Sequence, residues 1–316
     1  MLRTRVSAVA ALAVIAIVAP AATAQNPVVV TFNGANGAND LNLFVINDQN
    51  LVQPPPPTSG ANSVFNWGAG NGISDNAGAA GGGLMSPAPV IDATAAYAGP
   101  GGSASPTTWN LNTGASVSTM VQVQALPGNR FLQLGFLNQL NNALNGNAAQ
   151  TNAAFVSVRL YPNERLEMQT KSVNGGTVGA DFTAGGTNLT LNNWYRIGLD
   201  VKETSATNFS ATVHLDDYGP TGTALVGNLF TGTLTATVTG FEVSNGGLLG
   251  ADGLGIAAFR QVDSPAFFDS FSVIVLVPEP TCLLAVAGCA GGLRLLWRRR
   301  RFRNSAQDSA SVMSRL

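Results

Sequence analysis

Histidine occurs once in the 316 residues, at His214, and cysteine twice, at Cys282 and Cys289. A lone histidine with no cysteine before position 282 is a poor basis for a zinc site, and two cysteines seven apart near one end build no disulfide scaffold. Charge is scarce too: Asp, Glu, Lys and Arg make up 10% of the chain, against roughly 25% in ordinary soluble proteins. The 45% of hydrophobic residues supply enough apolar material for a core, so the scarcity is not that of a charge-expanded, disordered chain. No Gly-x-Ser-x-Gly elbow presents a nucleophile, and the glycine run Gly81 to Gly83 is not followed by a helix carrying Lys-Ser or Lys-Thr, which leaves it a loop rather than a phosphate cradle. No repeat with a period of roughly 20–50 residues emerges, which argues against a solenoid or a propeller.

The few charges are unevenly placed. Between Gln25 and Val277 stand seven basic residues (Arg130, Arg159, Arg165, Lys171, Arg196, Lys202 and Arg260) and 15 acids, a net charge of −8. A body of that sign repels phosphate backbones and disfavours nucleic acid as a partner. The other basic residues lie at the two ends.

Residues 1–24 combine Arg3 and Arg5, an apolar run from Val6 to Val18, and small residues at Ala22 and Ala24. This is the layout of a signal peptide cut after Ala24 by signal peptidase, with a mature chain that begins at Gln25 outside the cytoplasm. At the other end Val277-Pro278-Glu279-Pro280 precedes an apolar stretch from Thr281 to Trp297, interrupted by Arg294, and then Arg298, Arg299, Arg300 and Arg301. Seventeen residues reach the lower limit for a transmembrane helix, Arg294 can snorkel, and the arginines would hold residues 304–316 in the cytoplasm. Cys282 and Cys289 read as small hydrophobes of that helix.

The order of Pro278-Glu279-Pro280, a small-residue-rich apolar helix and an arginine cluster, over residues 277–303, resembles the PEP-CTERM sorting signal of bacterial exported proteins. The resemblance implies an exosortase-type membrane enzyme as processing partner and delivery to the cell surface or the extracellular matrix. The chain departs from the pattern in continuing to Leu316.

The body, residues 25–277, alternates apolar and polar positions over short segments divided by Gly, Asn, Asp and Pro. In 194–202 Tyr195, Ile197, Leu199 and Val201 share one face, with Arg196, Asp200 and Lys202 on the other; in 209–216 Phe209, Ala211, Val213 and Leu215 repeat the scheme. Further strands are expected at 27–32, 117–125, 130–137, 154–161, 165–172, 234–243, 254–260 and 267–276. Residues 53–110, with the Pro54–Pro57 run, read as loop-rich, and Asn138–Asn152 fits a short helix or an extended loop equally well. The expected fold is all-β, a two-layer antiparallel β-sandwich flanked by an N-terminal signal helix and a C-terminal transmembrane helix. The order of the Trp194-Tyr-Arg strand, His214-Leu-Asp-Asp-Tyr218, Gly255-Ile-Ala-Ala-Phe-Arg260 and the closing Phe268-Asp-Ser-Phe-Ser-Val273 strand resembles concanavalin A-like, laminin-G-like jelly rolls. That resemblance implies sugar-binding modules and glycosidases alike.

Jelly-roll glucanases carry a Glu-x-Asp-x-x-Glu strand, and this chain has none; Glu164 and Glu167, three apart, fall on opposite strand faces. No catalytic residue is expected. His214 reads as a solvated or hydrogen-bonded strand histidine. Asp216, Asp217 and Asp252 offer hard oxygens for calcium from turns, or else bond their own backbone. Trp194 and Tyr218 could present aromatic platforms to a sugar, and Trp194 at a strand start could equally cover the sandwich end as core. The leading expectation is a non-enzymatic surface or matrix protein with a structural or adhesive role, followed by a carbohydrate-binding module with extracellular polysaccharide as partner, and third a glycoside hydrolase.

Overall fold

The computed structural model describes residues 27–32, 43–48, 66–69, 73, 82–85, 92–99, 107–123, 131–138, 144, 153–161, 165–173, 175–182, 189–205, 207–239, 254–262 and 266–276. These hold sixteen strands in two sheets with only antiparallel pairings. The first sheet runs β14 (Gly227–Thr237), β13 (Asn208–Asp217), β12 (Trp194–Ser205), β7 (Ala115–Val123), β16 (Ala266–Val275), β4 (Gly82–Met85) and β3 (Asn66–Ala69). β1 (Val28–Val30) shares the free edge of β16 with β4, pairing Val28 with Val273 while β4 pairs at Phe267 and Phe268. The second sheet runs β11 (Thr177–Asp181), β10 (Leu166–Lys171), β9 (Phe155–Leu160), β8 (Phe131–Leu137), β15 (Leu254–Val262), β5 (Asp92–Tyr97) and β2 (Phe44–Asp48), and β6 (Trp109–Asn110) joins β15. The two sheets face each other across one core, a two-layer β-sandwich of the jelly-roll kind.

Period-two patterning puts that core in place. Ile197, Leu199 and Val201 of β12 and Phe209, Ala211, Val213 and Leu215 of β13 enter it from the first sheet. Leu132, Leu134 and Phe136 of β8, with Val156, Val158 and Leu160 of β9, enter from the second. At its centre the ring of Phe259 (β15) lies 4.9 Å from Phe268 and 5.8 Å from Phe271, both on β16, and 5.5 Å from Phe44 on β2. The last two strands thus lie in the interior of the two sheets, beside the middle strands β7 and β8.

The strongly alternating segments form strands within a few residues of their expected limits, and two departures are instructive. The strand expected at 234–243 begins earlier, at Gly227, because its Thr-Gly-Thr pattern carries little periodic signal and its extent follows from pairing with β13, Asp217 against Gly227. The stretch 53–110, expected to be loop-rich, supplies β3 to β6. These strands have two to six residues, rich in Gly and Ala, and gain their place from stronger partners rather than from propensity. The expected helices at 1–24 and 281–297, the residues Ala22, Ala24, Pro278, Glu279, Pro280 and Arg298–Arg301, and the tail 304–316 lie outside the described residues. Among the described residues no helix is long and apolar enough to cross a membrane.

Candidate functional site

The outer face of the second sheet gathers most of the body's described cations. Alternation that turns Leu132 and Leu134 inward turns Phe131, Gln133 and Gly135 outward, and on β9 and β10 it does the same for Ser157, Arg159, Glu167, Gln169 and Lys171. Register then aligns these positions. Asp181 lies opposite Glu167, Glu167 opposite Arg159, Arg159 opposite Gln133, Gln133 opposite Arg260 and Arg260 opposite Thr94, one row across six strands. Among the side chains described, Arg159, Arg165, Lys171 and Arg260 share this face with two carboxylates, Glu167 and Asp181, on a body whose net charge is −8.

Side-chain hydrogen bonds tie the row together. Arg159 donates from Nε to Gln133 Oε1 (3.2 Å) and from Nη1 to the Tyr161 hydroxyl oxygen (3.4 Å). Tyr161 in turn donates to Glu167 Oε2 (2.7 Å), which also accepts from Arg165 Nη2 (2.6 Å), while Glu167 Oε1 accepts from the Gln169 amide. Gln133 Nε2 donates to Ser157 Oγ (2.6 Å), and Ser157 donates on to the Gln169 carbonyl (3.0 Å). Arg260 Nη1 reaches both Gln133 Oε1 (3.2 Å) and the Leu144 carbonyl (2.5 Å).

Burial gives these contacts their weight, because polar groups removed from water need partners. Gln133, Ser157, Glu167, Gln169, Lys171 and Arg260 are all buried, and Arg159 is half-buried. Burial pushes the Arg159 guanidinium below the ordinary arginine pKa; its hydrogen bond and charge interaction with Tyr161 oppose this, the neighbouring charge of Arg260 adds to it, and Glu167 opposes it weakly. Lys171, which donates to the Gly175 carbonyl (3.0 Å), is also held below the ordinary lysine range by burial. The Phe131 ring lies 4.1 Å from the Arg159 guanidinium carbon and 5.2 Å from that of Arg260. Beside the row, Ala96, Leu137, Phe155, Ile256 and Ala258 form a satellite apolar cluster closed by Leu144, whose N–H donates to Thr94 Oγ1 (3.2 Å). Within this ensemble one buried acceptor, Gln169 Oε1, has no hydrogen-bond donor.

The residues singled out in the sequence sit on the first sheet. Trp194 is on its outer face, as the polar positions two and six residues on imply, and is 3% exposed in a small cluster with Ile73, Met120 and Phe267; half-buried Tyr218 packs against it. Two distant segments roof the indole. Ile73 is held by its N–H donating to Asp269 Oδ2 (2.7 Å), and Gly222, at φ +69°, comes so close that a Cβ there would stand 2.9 Å from Trp194 Cγ. Asp216 accepts from Arg196 Nε and Nη2 (3.1 and 2.7 Å) and from Asn228 Nδ2 (2.7 Å). Asp217 accepts from the Gly219 N–H (2.7 Å), a turn-forming bond, and from Asn193. These contacts engage both carboxylates, and among the described residues no three His, Cys, Asp or Glu side chains come together to hold a metal ion. Asp252 and Glu164 lie outside the described residues. His214 is hydrogen-bonded through Nε2 to Asp200 Oδ2 (3.0 Å), with Thr231 Oγ1 3.5 Å from Nδ1.

The row on the second sheet was not anticipated from the sequence, although part of its signal is there. Arg159-x-Tyr161 and Arg165-x-Glu167-x-Gln169-x-Lys171 place polar side chains at every second position of two successive strands, in a chain where charge is rare. Gln133, Arg260 and Thr94 come from remote segments and carry no such mark.

No family model matches the sequence, and a search of curated proteins finds no match. Solved structures that resemble the chain include lectin I-B4 from Griffonia simplicifolia in a metal-free form, at 10% identity over 79% of this chain and 98% of that one, with a TM-score of 0.42. A Bacillus subtilis protein of unknown function with a galectin-like fold is 11% identical over 80% of this chain and 96% of its own, with a TM-score of 0.39. The PL-14 alginate lyase from Aplysia kurodai is 12% identical over 68% of this chain and 90% of its own, with a TM-score of 0.39.

Proposed function

We propose that this chain is an exported, non-enzymatic carbohydrate-binding protein that presents the accessible rim of its second sheet's outer face, Arg159, Tyr161, Arg165 and Asp181, to an extracellular polysaccharide. The observation that carries the reading is the accessible end of the row, Asp181 and Arg165 beside half-buried Arg159 and Tyr161, held from behind by buried Gln133, Phe131 and Arg260. Planar donors and acceptors beside aromatic and small apolar surface are the elements a sugar requires, hydrogen bonds for its hydroxyls and flat faces for its C–H groups. Binding is favoured over hydrolysis because Glu167 already accepts from Tyr161, Arg165 and Gln169, and the row has no second buried carboxylate among its described residues. Calcium at Asp216, Asp217 and Asp252 is not needed for this mode.

Export rests on the sequence of the two ends. Residues 1–24 direct translocation and signal peptidase cuts after Ala24; the tail 278–303 anchors the chain until an exosortase-type enzyme processes it, leaving the protein at the surface or in the matrix. Deleting residues 278–303 is expected to shift the protein out of the surface fraction, and unchanged fractionation would remove the tail from this account.

The binding reading is tested by retention of the full-length chain on a panel of immobilised neutral and acidic polysaccharides. Retention on at least one, weakened about tenfold by Gln133→Ala and unchanged by His214→Ala on the opposite face, is the expected result. Absence of retention on every polysaccharide overturns it.

A further inference from the structure

We infer that the polysaccharide recognised by the second sheet is an acidic one, a chain of sugar carboxylates read by Arg159 at the rim of the row with Arg260 behind it; this rests on the carbohydrate-binding reading of the same face. Arg159 and Arg260 converge on a single neutral acceptor, Gln133 Oε1, at 3.2 Å each, and on a single ring, Phe131. Two guanidiniums drawn to one uncharged oxygen repel each other, and burial reduces the screening that would quiet that repulsion. The structure's other arginine ion pairs show the contrast. Arg165 meets Glu167 at 2.6 Å and Arg196 meets Asp216 at 2.7 Å, whereas Arg159, among the described residues, makes no ion pair and hydrogen-bonds only the amide of Gln133 and the hydroxyl of Tyr161. A half-buried cation that makes no ion pair among the described residues, its nearest carboxylate Glu167 being engaged by Tyr161, Arg165 and Gln169, is a place where an anion is bound favourably.

The ligand must offer more than charge. Gln169 Oε1, in a side chain 5% exposed, lacks a donor, as does Thr177 Oγ1 on the adjacent edge strand. Both accept hydrogen bonds, so the complement is a molecule carrying carboxylate oxygens for Arg159 and hydroxyl donors for these acceptors. A uronic acid residue combines the two. The planar fork of arginine suits bidentate carboxylate recognition, and Gln133 and Phe131 hold the Arg159 fork in a fixed plane before the ligand arrives.

The experiment measures binding of the full-length chain to polygalacturonate, alginate and hyaluronan, each beside its carboxyl-esterified form, with dextran and a β-glucan as neutral polymers. Esterification removes the charge and leaves the sugar hydroxyls and chain conformers largely in place. The expected result is binding to at least one polyuronate that falls tenfold or more on esterification and weakens with added salt. Arg159→Gln should lose the same factor for the polyuronate and a markedly smaller one for its ester, with Arg159→Lys in between and melting temperatures confirming that each variant folds. Should Arg159→Gln fail to fold, the ester comparison decides alone. Equal binding of a polyuronate and its ester, or binding only of dextran or the β-glucan, overturns the acidic assignment and leaves the carbohydrate reading intact. No binding to any polymer overturns both.

Discussion

Phe259 shows how far one side chain reaches in this molecule. Its ring meets Phe44 of its own sheet and, from the opposite sheet, Phe268 and Phe271, so it joins the two layers. Phe259→Ala leaves a cavity that strands cannot collapse to fill, and it is expected to cost about 3–5 kcal/mol in urea unfolding. Asp269 works differently, through hydrogen bonds. It is 1% exposed and accepts from the N–H of Ile73 (2.7 Å), 196 residues away, and from the N–H of Ser270 (2.6 Å), whose φ of 49° marks the bulge in β16. Asp269→Ala removes at least two such bonds, each worth about 1.5–3 kcal/mol when the acceptor is charged. Ile73 should then lift from Trp194, red-shifting indole emission and raising its quenching by acrylamide; adding Trp194→Phe should abolish the red shift.

At the scale of elements, the order of synthesis and the order of packing are opposed. β16 pairs with β7, β4 and β1, and β15 with β8, β5 and β6, so the last two strands sit in the interior of the two sheets. The first strand finds its partner only when residues 271–273 exist. A chain ending before Ala266 lacks β16, which links β7 to β4 and β1 in the first sheet, and is expected to show no cooperative unfolding transition. The intact chain, dominated by pairings distant in sequence, should refold in milliseconds to seconds or more slowly, which stopped-flow fluorescence measures. The edges are treated unequally. β14 alternates exposed threonines, with Thr233 bonded to Thr212 across the pair (2.7 Å), whereas β11 ends in Asp181, 3.4 Å from Arg165. Both are polar enough to discourage further strand pairing.

For the whole molecule, charge is distributed by face rather than by amount. The body is acidic in sum, yet four of its seven cations stand on one side of one sheet. If the proposed acidic polysaccharide is the ligand, it is expected to be repelled at long range and held only on contact, a combination that favours selectivity over fast capture. The sandwich closes at Val275, where the Leu276 N–H donates to the Gly114 carbonyl (2.9 Å). Removing residues 278–303 takes nothing from the described core, so the deleted chain is expected to melt within a few degrees of the intact one in a calorimetric scan. A large drop would mean that the tail packs against the body.

The sequence by itself determined which face each residue takes. Alternation in 194–202 and 209–216 assigned the core positions of β12 and β13, because a strand's period of two is a local property that neighbours in sequence reveal. It left β2 to β6 and β11 unread; β2 and β6 are short, and in β3 to β5 and β11 glycine, alanine and threonine carry too little contrast. It also left the fate of Trp194 open, because what covers it, Ile73 and Gly222, belongs to other segments. Only the tertiary structure decided which outward residues become neighbours. Glu167, Arg159, Gln133, Arg260 and Thr94 are spread over some 170 positions and meet because the register of four strand pairs lines them up. Register is set by the shared core and the connections as a whole, and a slip of one residue would turn each of these side chains to the other face.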